Sequence, residues 1–284
     1  MSTPSPSTPP VSRSAAGLAY RRGGTGRGPA VVLLHGIPGG AVTWQSVADA
    51  LMVDHDVVVP DLLGFGASDR PSGLDELHVE AQAVALLALL HELELPSVVL
   101  VGHDFGAPTA VTVARLAPAR VAGLGILSGN LFTDTPIPFP LSTITWPALG
   151  AFAEHLLAGG IAQRMLLRAA VGVPKVELDT GAHLGDARQR RAVRLLLAGS
   201  LRRLGTLYAP VEEHLGRLTV PRFVAWGDRD PLFPIVEGER AADALRVPLI
   251  RLTGAGHFLP QERPIDVIRL VRFLVADVAS DVGG

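Results

Sequence analysis

The chain has 284 residues, 48% of them hydrophobic, which is enough for one full-sized domain with a large core. Its 25 basic and 27 acidic side chains leave a formal charge of -2 with both signs interspersed, which excludes a basic face for nucleic acid and a polybasic segment for an anionic membrane. The absence of cysteine excludes a disulfide framework and a thiolate metal site, and it suits a reducing, cytoplasmic compartment.

Residues 1–16 begin with a Ser-, Pro- and Thr-rich stretch that has no apolar run of the secretory kind, and they are expected to form a disordered tail. Gly23 to Pro29 reads as a Gly-rich turn before the continuous apolar strand Ala30 to Leu34, which ends in His35-Gly36-Ile37-Pro38-Gly39-Gly40. Trp44, Val47, Ala48 and Leu51 recur at helical spacing, with Trp44 facing the core. Val57 to Asp61 is the next buried strand, broken by Leu63-Gly64-Phe65-Gly66, and Leu74 to Leu95 is a long amphipathic helix. Its apolar stretch from Ala81 to Leu90 is too short to cross a bilayer. The strand from Val98 follows, then a helix over Ala107 to Leu116 and a strand-like run from Val121 to Leu127. Continuous rather than alternating apolar strands, separated by helices, predict a mostly parallel sheet covered on both faces, an α/β fold.

The rhythm fails from Leu131 to about Leu215. Pro136, Pro138, Pro140 and Pro147 break the start, and helical patterns near 148–171 and 187–207 follow with no strand between them. Residues 131–214 are therefore expected to be an inserted helical lid, with 17–130 and 215–284 forming the core. The rhythm resumes at Arg222 to Pro231, with a helix near Val236 to Leu245, a strand at Pro248 to Leu252, the loop Thr253-Gly254-Ala255-Gly256-His257-Phe258 and a closing helix from Ile265 to Ala276.

The stretch Val98-Val99-Leu100-Val101-Gly102-His103-Asp104-Phe105-Gly106 carries the chemistry. A strand that turns this sharply into a helix lifts its central residue, Asp104, clear of the sheet beside a helix N-terminus, and small flanking residues permit the strained backbone. A carboxylate is already ionised at neutral pH and needs no base to act as a nucleophile. Attack on a carbonyl would give a reactive anhydride, whereas attack on a saturated carbon with a strained or good leaving group gives an ester that water can cleave. Epoxides and alkyl halides are such substrates. His103 beside it reads as structural. In chain order His35-Gly36, Asp104, Asp228 or Asp230, and His257 all follow the carboxyl ends of predicted strands, where open parallel sheets place their sites.

With Asp61-Leu62-Leu63-Gly64-Phe65-Gly66-Ala67-Ser68, Gly227-Asp228-Arg229-Asp230 and Gly256-His257-Phe258, these motifs make the chain resemble the α/β-hydrolase superfamily from about Gly17 onward. The similarity is to its aspartate-nucleophile branch, the epoxide hydrolases and, more distantly, the haloalkane and haloacetate dehalogenases. The resemblance implies an α/β-hydrolase fold in which Asp104 is the nucleophile, His257 activates the water that cleaves the ester, and Asp230 orients His257, leaving Asp228 as a turn residue. Asn130, where some relatives place the acid, is a neutral amide. The resemblance also implies an oxyanion hole from the backbone N–H groups of Ile37 and Phe105. Dehalogenases of this branch carry a side-chain N–H donor at one or both of these positions, or a pair of arginines after the nucleophile; this chain has neither. Epoxide hydrolases use lid tyrosines, usually a pair, to protonate the opening oxygen. Here the lid holds Tyr208 alone, with Trp146 as another candidate donor and His155 and His183 behind it. Phe105 is expected to shape the apolar pocket. The expected function is cofactor-free and metal-free hydrolysis of an apolar or aromatic epoxide of moderate size by a monomer or homodimer, with no nucleic-acid or membrane partner. The alternatives are a dehalogenase and a non-hydrolytic acid/base enzyme, carrying out a rearrangement or ring closure on the same scaffold.

Overall fold

A computed structural model of the chain describes residues 9–26, 28–157, 160–173, 176, 178 and 187–282. In chain order the strands are β1 (Ser12–Arg13), β2 (Ala19–Gly23), β3 (Ala30–Leu34), β4 (Val57–Pro60), β5 (Val98–His103), β6 (Val121–Leu127), β7 (Arg222–Gly227) and β8 (Leu249–Leu252). The α-helices are α1 (Gln45–Leu51), α2 (Val79–Glu92), α3 (Gly106–Leu116), α4 (Gly150–Leu157), α5 (Gly160–Ala169), α6 (Ala187–Arg202), α7 (Leu204–Leu215), α8 (Ile235–Leu245), α9 (Leu259–Glu262) and α10 (Pro264–Val282).

Among the described residues the strands form one sheet in the order β1-β2-β4-β3-β5-β6-β7-β8. The β1–β2 and β2–β4 pairs are antiparallel and the rest are parallel, which places β5 in the middle of the parallel part between β3 and β6. The continuous apolar runs have a direct cause. Val32, Leu34 and Leu100 pack on one face against Leu86 and Leu89 of α2 and Val111 of α3, while Val31, Leu33, Val99 and Val101 pack on the other against Val47 of α1 and Val271 and Leu274 of α10. A strand buried on both faces carries apolar residues on both, and the polar His103 comes only at the carboxyl end of β5, where it finds the His257 carbonyl.

Several sequence expectations shift at the edges. Residues 1–8 of the expected tail lie outside the described residues, but Ser12–Arg13 pairs with Ala19–Tyr20 as an edge strand and Ser14 is buried, its hydroxyl accepting from the Leu18 N–H. β2 was missed because its polar sequence, Ala-Tyr-Arg-Arg-Gly, belongs to the outer part of the sheet where one face meets solvent. The helix expected over 74–95 begins with a separate 3-10 turn at Leu74–Glu76, and only Val79–Glu92 is α-helical. Trp44 is fully buried as expected, at the end of a 3-10 turn that precedes α1.

Between β6 and β7 the chain runs through α4, α5, α6 and α7 with no strand among the described residues, and α7 packs on α3. No helix among the described residues is long and apolar enough to cross a membrane.

The turn from β5 into α3 depends on close backbone approach. A Cβ on Gly102 would lie 2.3 Å from the Gly106 carbonyl oxygen, and one on Gly106 would lie 2.3 Å from the Leu34 carbonyl oxygen of the neighbouring strand. Neither neighbour is a side chain that can swing away. Gly106→Ala is therefore expected to lower the unfolding free energy by about 1–3 kcal/mol or more, the range for overpacking a tight site, measured as a lower midpoint in denaturant unfolding.

Candidate active site

β5 delivers Asp104 at its carboxyl end, and α3 starts two residues later. Asp104 has φ 53°, in the left-handed region that few non-glycine residues occupy. Holding it there costs about 1–3 kcal/mol of backbone strain, and the Asp104 N–H donates to the Leu127 carbonyl while its own carbonyl accepts from Ala107 N–H. The strain turns the side chain out of the sheet, toward the loop after β3.

There Oδ1 of Asp104 accepts a hydrogen bond from the Ile37 N–H at 2.6 Å. The Phe105 N–H, the other expected donor, has no acceptor among the described residues. Oδ2 lies 3.4 Å from Nε2 of His257, within ion-pair range, although Nε2 has no formed hydrogen bond. Catalytic hydrogen bonds are often this long until substrate arrives. On the other side of the ring, Nδ1 donates to Oδ2 of Asp230 at 2.9 Å. Asp230 is buried and fixed, its Oδ1 accepting from the N–H groups of Leu232 at 2.8 Å and Phe233 at 3.0 Å. Asp228, the rival from the sequence, is exposed and caps a turn by accepting from the Gly254 N–H. Asn130 directs its Oδ1 to the Phe132 N–H and the Thr135 hydroxyl.

The loop that carries His257 is held by a residue the sequence did not single out. Glu262 is buried, and its Oε2 accepts from the N–H groups of Gly256, Gly172 and Val173 while its Oε1 accepts from Phe258. One carboxylate thus ties both neighbours of His257 to the segment after α5, and the His257 N–H itself donates to the Ala170 carbonyl. In sequence, Glu262 is indistinguishable from any acid at a helix start. His103, from β5, donates through Nε2 to the His257 carbonyl at 2.8 Å and stacks beside its ring, a positioning role.

The charges follow from this packing. Burial works against a charged His257, but Asp230 and Asp104 outweigh it and raise the imidazole to about 10. Burial likewise opposes the Asp104 charge, and the His257 imidazolium together with the Ile37 N–H holds it below the usual carboxylate range. His103, desolvated and beside His257, is pushed down to about 4 and is neutral.

Above Asp104 lies a narrow cavity of about 90 Å³. Leu196, Leu197, Leu201 and Leu204 of α6 and α7 form one wall, and Ile37, Phe105 and Phe233 form the other. Its polar lining is Asp104, Asn130, Ser200 and Tyr208. Tyr208 is buried at the cavity, its hydroxyl has no hydrogen bond among the described residues, and burial together with the Asp104 charge pushes the phenol upward, so it stays a proton donor. Trp146 does not join it. The residue is 49% exposed, at the end of the 3-10 turn Leu141–Thr145, and does not line the cavity. His183 and the side chain of His155 lie outside the described residues. Ser200 was missed, although its signal was present as a hydroxyl at helical spacing on the apolar stripe of Leu196, Leu197 and Leu204.

Residues 29–264 match the family described as alpha/beta hydrolase fold. Epoxide hydrolase A of Mycobacterium tuberculosis is 26% identical over 297 aligned positions, covering 87% of this chain and 90% of that protein. Haloalkane dehalogenase 2 of the same organism is 28% identical over 258 positions, covering 84% of this chain and 85% of that one. A solved haloalkane dehalogenase from Bradyrhizobium elkani superposes with a TM-score of 0.77 at 22% identity, covering 93% and 95% of the two chains, a likeness of fold.

Two outcomes follow for the charged cluster. Asp104→Asn removes one of the two carboxylates facing His257, so the imidazole is expected to titrate lower than in the parent protein, as read by NMR of the ring; an unmoved titration would contradict the pairing. Because the folded value of His257 lies above its ordinary 6.5, the pairing contributes its full stability below that pH and loses it as pH rises through about 10. Glu262→Gln substitutes an amide nitrogen, which accepts nothing, for one carboxylate oxygen. At least one buried N–H then goes unmet, at about 1–3 kcal/mol, seen as a lower melting temperature with reduced turnover.

Proposed function

The chain belongs to the alpha/beta hydrolase fold family, and within it we propose that it is an epoxide hydrolase working through a covalent ester on Asp104. The observation that carries this reading is the division of labour between the two Asp104 oxygens. Oδ1 already rests on the Ile37 N–H, so Oδ2 is the atom available to attack, and Oδ1 becomes the carbonyl oxygen of the ester in the position where an oxyanion later needs a donor.

In the first step Oδ2 bonds to a ring carbon of the epoxide, the carbon–oxygen bond breaks, and the Tyr208 hydroxyl gives its proton to the departing alkoxide. Asp104 thereby loses its charge, which weakens the proton affinity of His257 and frees Nε2 as a base after its proton passes to solvent. His257 then takes a proton from water, and the hydroxide adds to the ester carbonyl. The resulting oxyanion on Oδ1 is met by the Ile37 and Phe105 N–H groups, an effect of about 3–4 kcal/mol per donor in comparable holes. Collapse expels the second alkoxide, which receives the proton from His257; the new Asp104 carboxyl returns its proton to the tyrosinate, and His257 takes back from solvent the proton it released before hydrolysis. The sum is epoxide plus water to diol. Asp230 keeps the His257 tautomer and stabilises its imidazolium.

The helices from α4 to α7 serve as the lid, with α6 and α7 supplying the cavity roof and the proton donor. An epoxide is favoured over an alkyl halide because Ile37 and Phe105 offer no side-chain N–H to a departing halide, while Tyr208 offers a hydroxyl to a departing oxygen. The cavity, at about 90 Å³, is well below the ~300–1,000 Å³ of sites for drug-sized ligands. A small substrate therefore fits better than one of moderate size.

Single turnover in heavy-oxygen water is expected to place label in the Asp104 carboxylate, read by mass spectrometry of its peptide; turnover without label would remove the covalent mechanism. Asp104→Ala should abolish turnover, and His257→Gln should accumulate the alkylated enzyme. Halide release from haloalkanes in place of diol formation would favour the dehalogenase reading.

A further inference from the structure

Ser200 belongs to the leucine wall of the cavity and is 8% exposed. Its hydroxyl is buried without a hydrogen-bond partner among the described residues. Serine and threonine inside helices ordinarily return the hydroxyl to the carbonyl one turn back, as Thr109 and Thr112 do on α3 toward Phe105 and Pro108. Ser200 does not. A buried hydroxyl left unpaired has given up its hydrogen bonds to water and gained nothing inside, and an alanine or leucine would suit this wall better unless a ligand supplies the missing partner.

We propose that Ser200 is a specificity-determining residue whose hydroxyl donates to a second oxygen of the substrate, an ether or hydroxyl oxygen on the substituent beyond the ring that Asp104 opens. The preferred substrate is then a small oxygen-substituted epoxide of the glycidyl ether or glycidol kind and not a purely hydrocarbon one. This rests on the epoxide reading for the ring, though not for the oxygen contact itself. The ring oxygen is assigned to Tyr208, since a phenol close to Asp104 can release a proton to an alkoxide and an aliphatic hydroxyl is a much weaker acid. Ser200, on the preceding helix, is left to recognise what the rest of the wall rejects, and a site with an unmet polar group discriminates strongly against a ligand that lacks its partner.

The test compares methyl glycidyl ether with propyl oxirane, its isostere in which a methylene replaces the ether oxygen, together with calorimetric binding of the two corresponding diols. The parent protein is expected to prefer the ether in kcat/KM and in diol affinity by about tenfold. In Ser200→Ala that preference falls to near one because kcat/KM drops far more for the ether than for propyl oxirane, and the melting temperature is unchanged or higher because an unpaired hydroxyl has gone. Equal loss on both epoxides would show that Ser200 holds the ring oxygen instead, and an undiminished ether preference or a sharply lower melting temperature would show a hydroxyl engaged within the protein; each overturns the proposal. If neither epoxide is turned over but the ether diol still binds more tightly only when Ser200 is present, the oxygen contact stands and the epoxide reading falls.

Discussion

Everything at this site depends on one part-buried carboxylate held in a strained backbone position and shared between an N–H and an imidazole. Asp104 at φ 53° points away from its sheet and is kept ionised against its burial by His257 and the Ile37 N–H. The strain is tolerable only because the rest of the structure over-determines it. β5 is buried on both faces between β3 and β6, and the glycines at 102 and 106 let α3 leave in close contact with the backbone at Leu34, an approach any side chain there would block.

The second half of the site is built on a loop, and a loop needs other means to reach comparable precision. His257 is fixed from four directions: Asp230 on Nδ1, His103 on its carbonyl, Ala170 on its N–H, and Glu262 on the N–H groups at either side. Two of these tethers, Ala170 and the Gly172–Val173 segment held by Glu262, come from the stretch that follows α5. The imidazole is therefore coupled to the helical insertion, and the same insertion forms the cavity roof through α6 and α7. The cavity roof and two of the tethers of His257 thus come from one stretch of chain between β6 and β7.

The cavity itself is a compromise between exclusion and recognition. Its leucines and phenylalanines lower the local dielectric and strengthen the charge interactions around Asp104, and they leave few groups able to hold a polar ligand. Tyr208 and Ser200 stand out within the cavity as hydroxyls without partners among the described residues, and buried polar groups in folded proteins are ordinarily paired.

The elbow and the mostly parallel sheet were legible in the chain, because local sterics and burial on two faces leave a signature in adjacent residues: glycines flanking a polar tip and unbroken apolar strands. The pairing of Asp104 with His257, far apart in the chain, came from the family resemblance. The preference for Asp230 over Asp228 rested on family pattern and acquired its physical reason only when one proved buried on Nδ1 and the other exposed at a turn. Tyr208 and, behind it, Trp146 were both candidate donors in the sequence, and they differ wholly in space, one at the cavity and the other at the surface. Glu262 left no mark in the sequence, since what distinguishes it is the company of four backbone N–H donors, three of them from loop segments brought together by folding, whereas Ser200 showed only as a hydroxyl on an apolar stripe and its lack of a partner is visible only in the packed chain. The sequence by itself determined which chemistry the strand end presents; the tertiary structure decided which distant groups meet there, because burial and hydrogen-bond partnership are properties of the packed chain and not of any stretch of it.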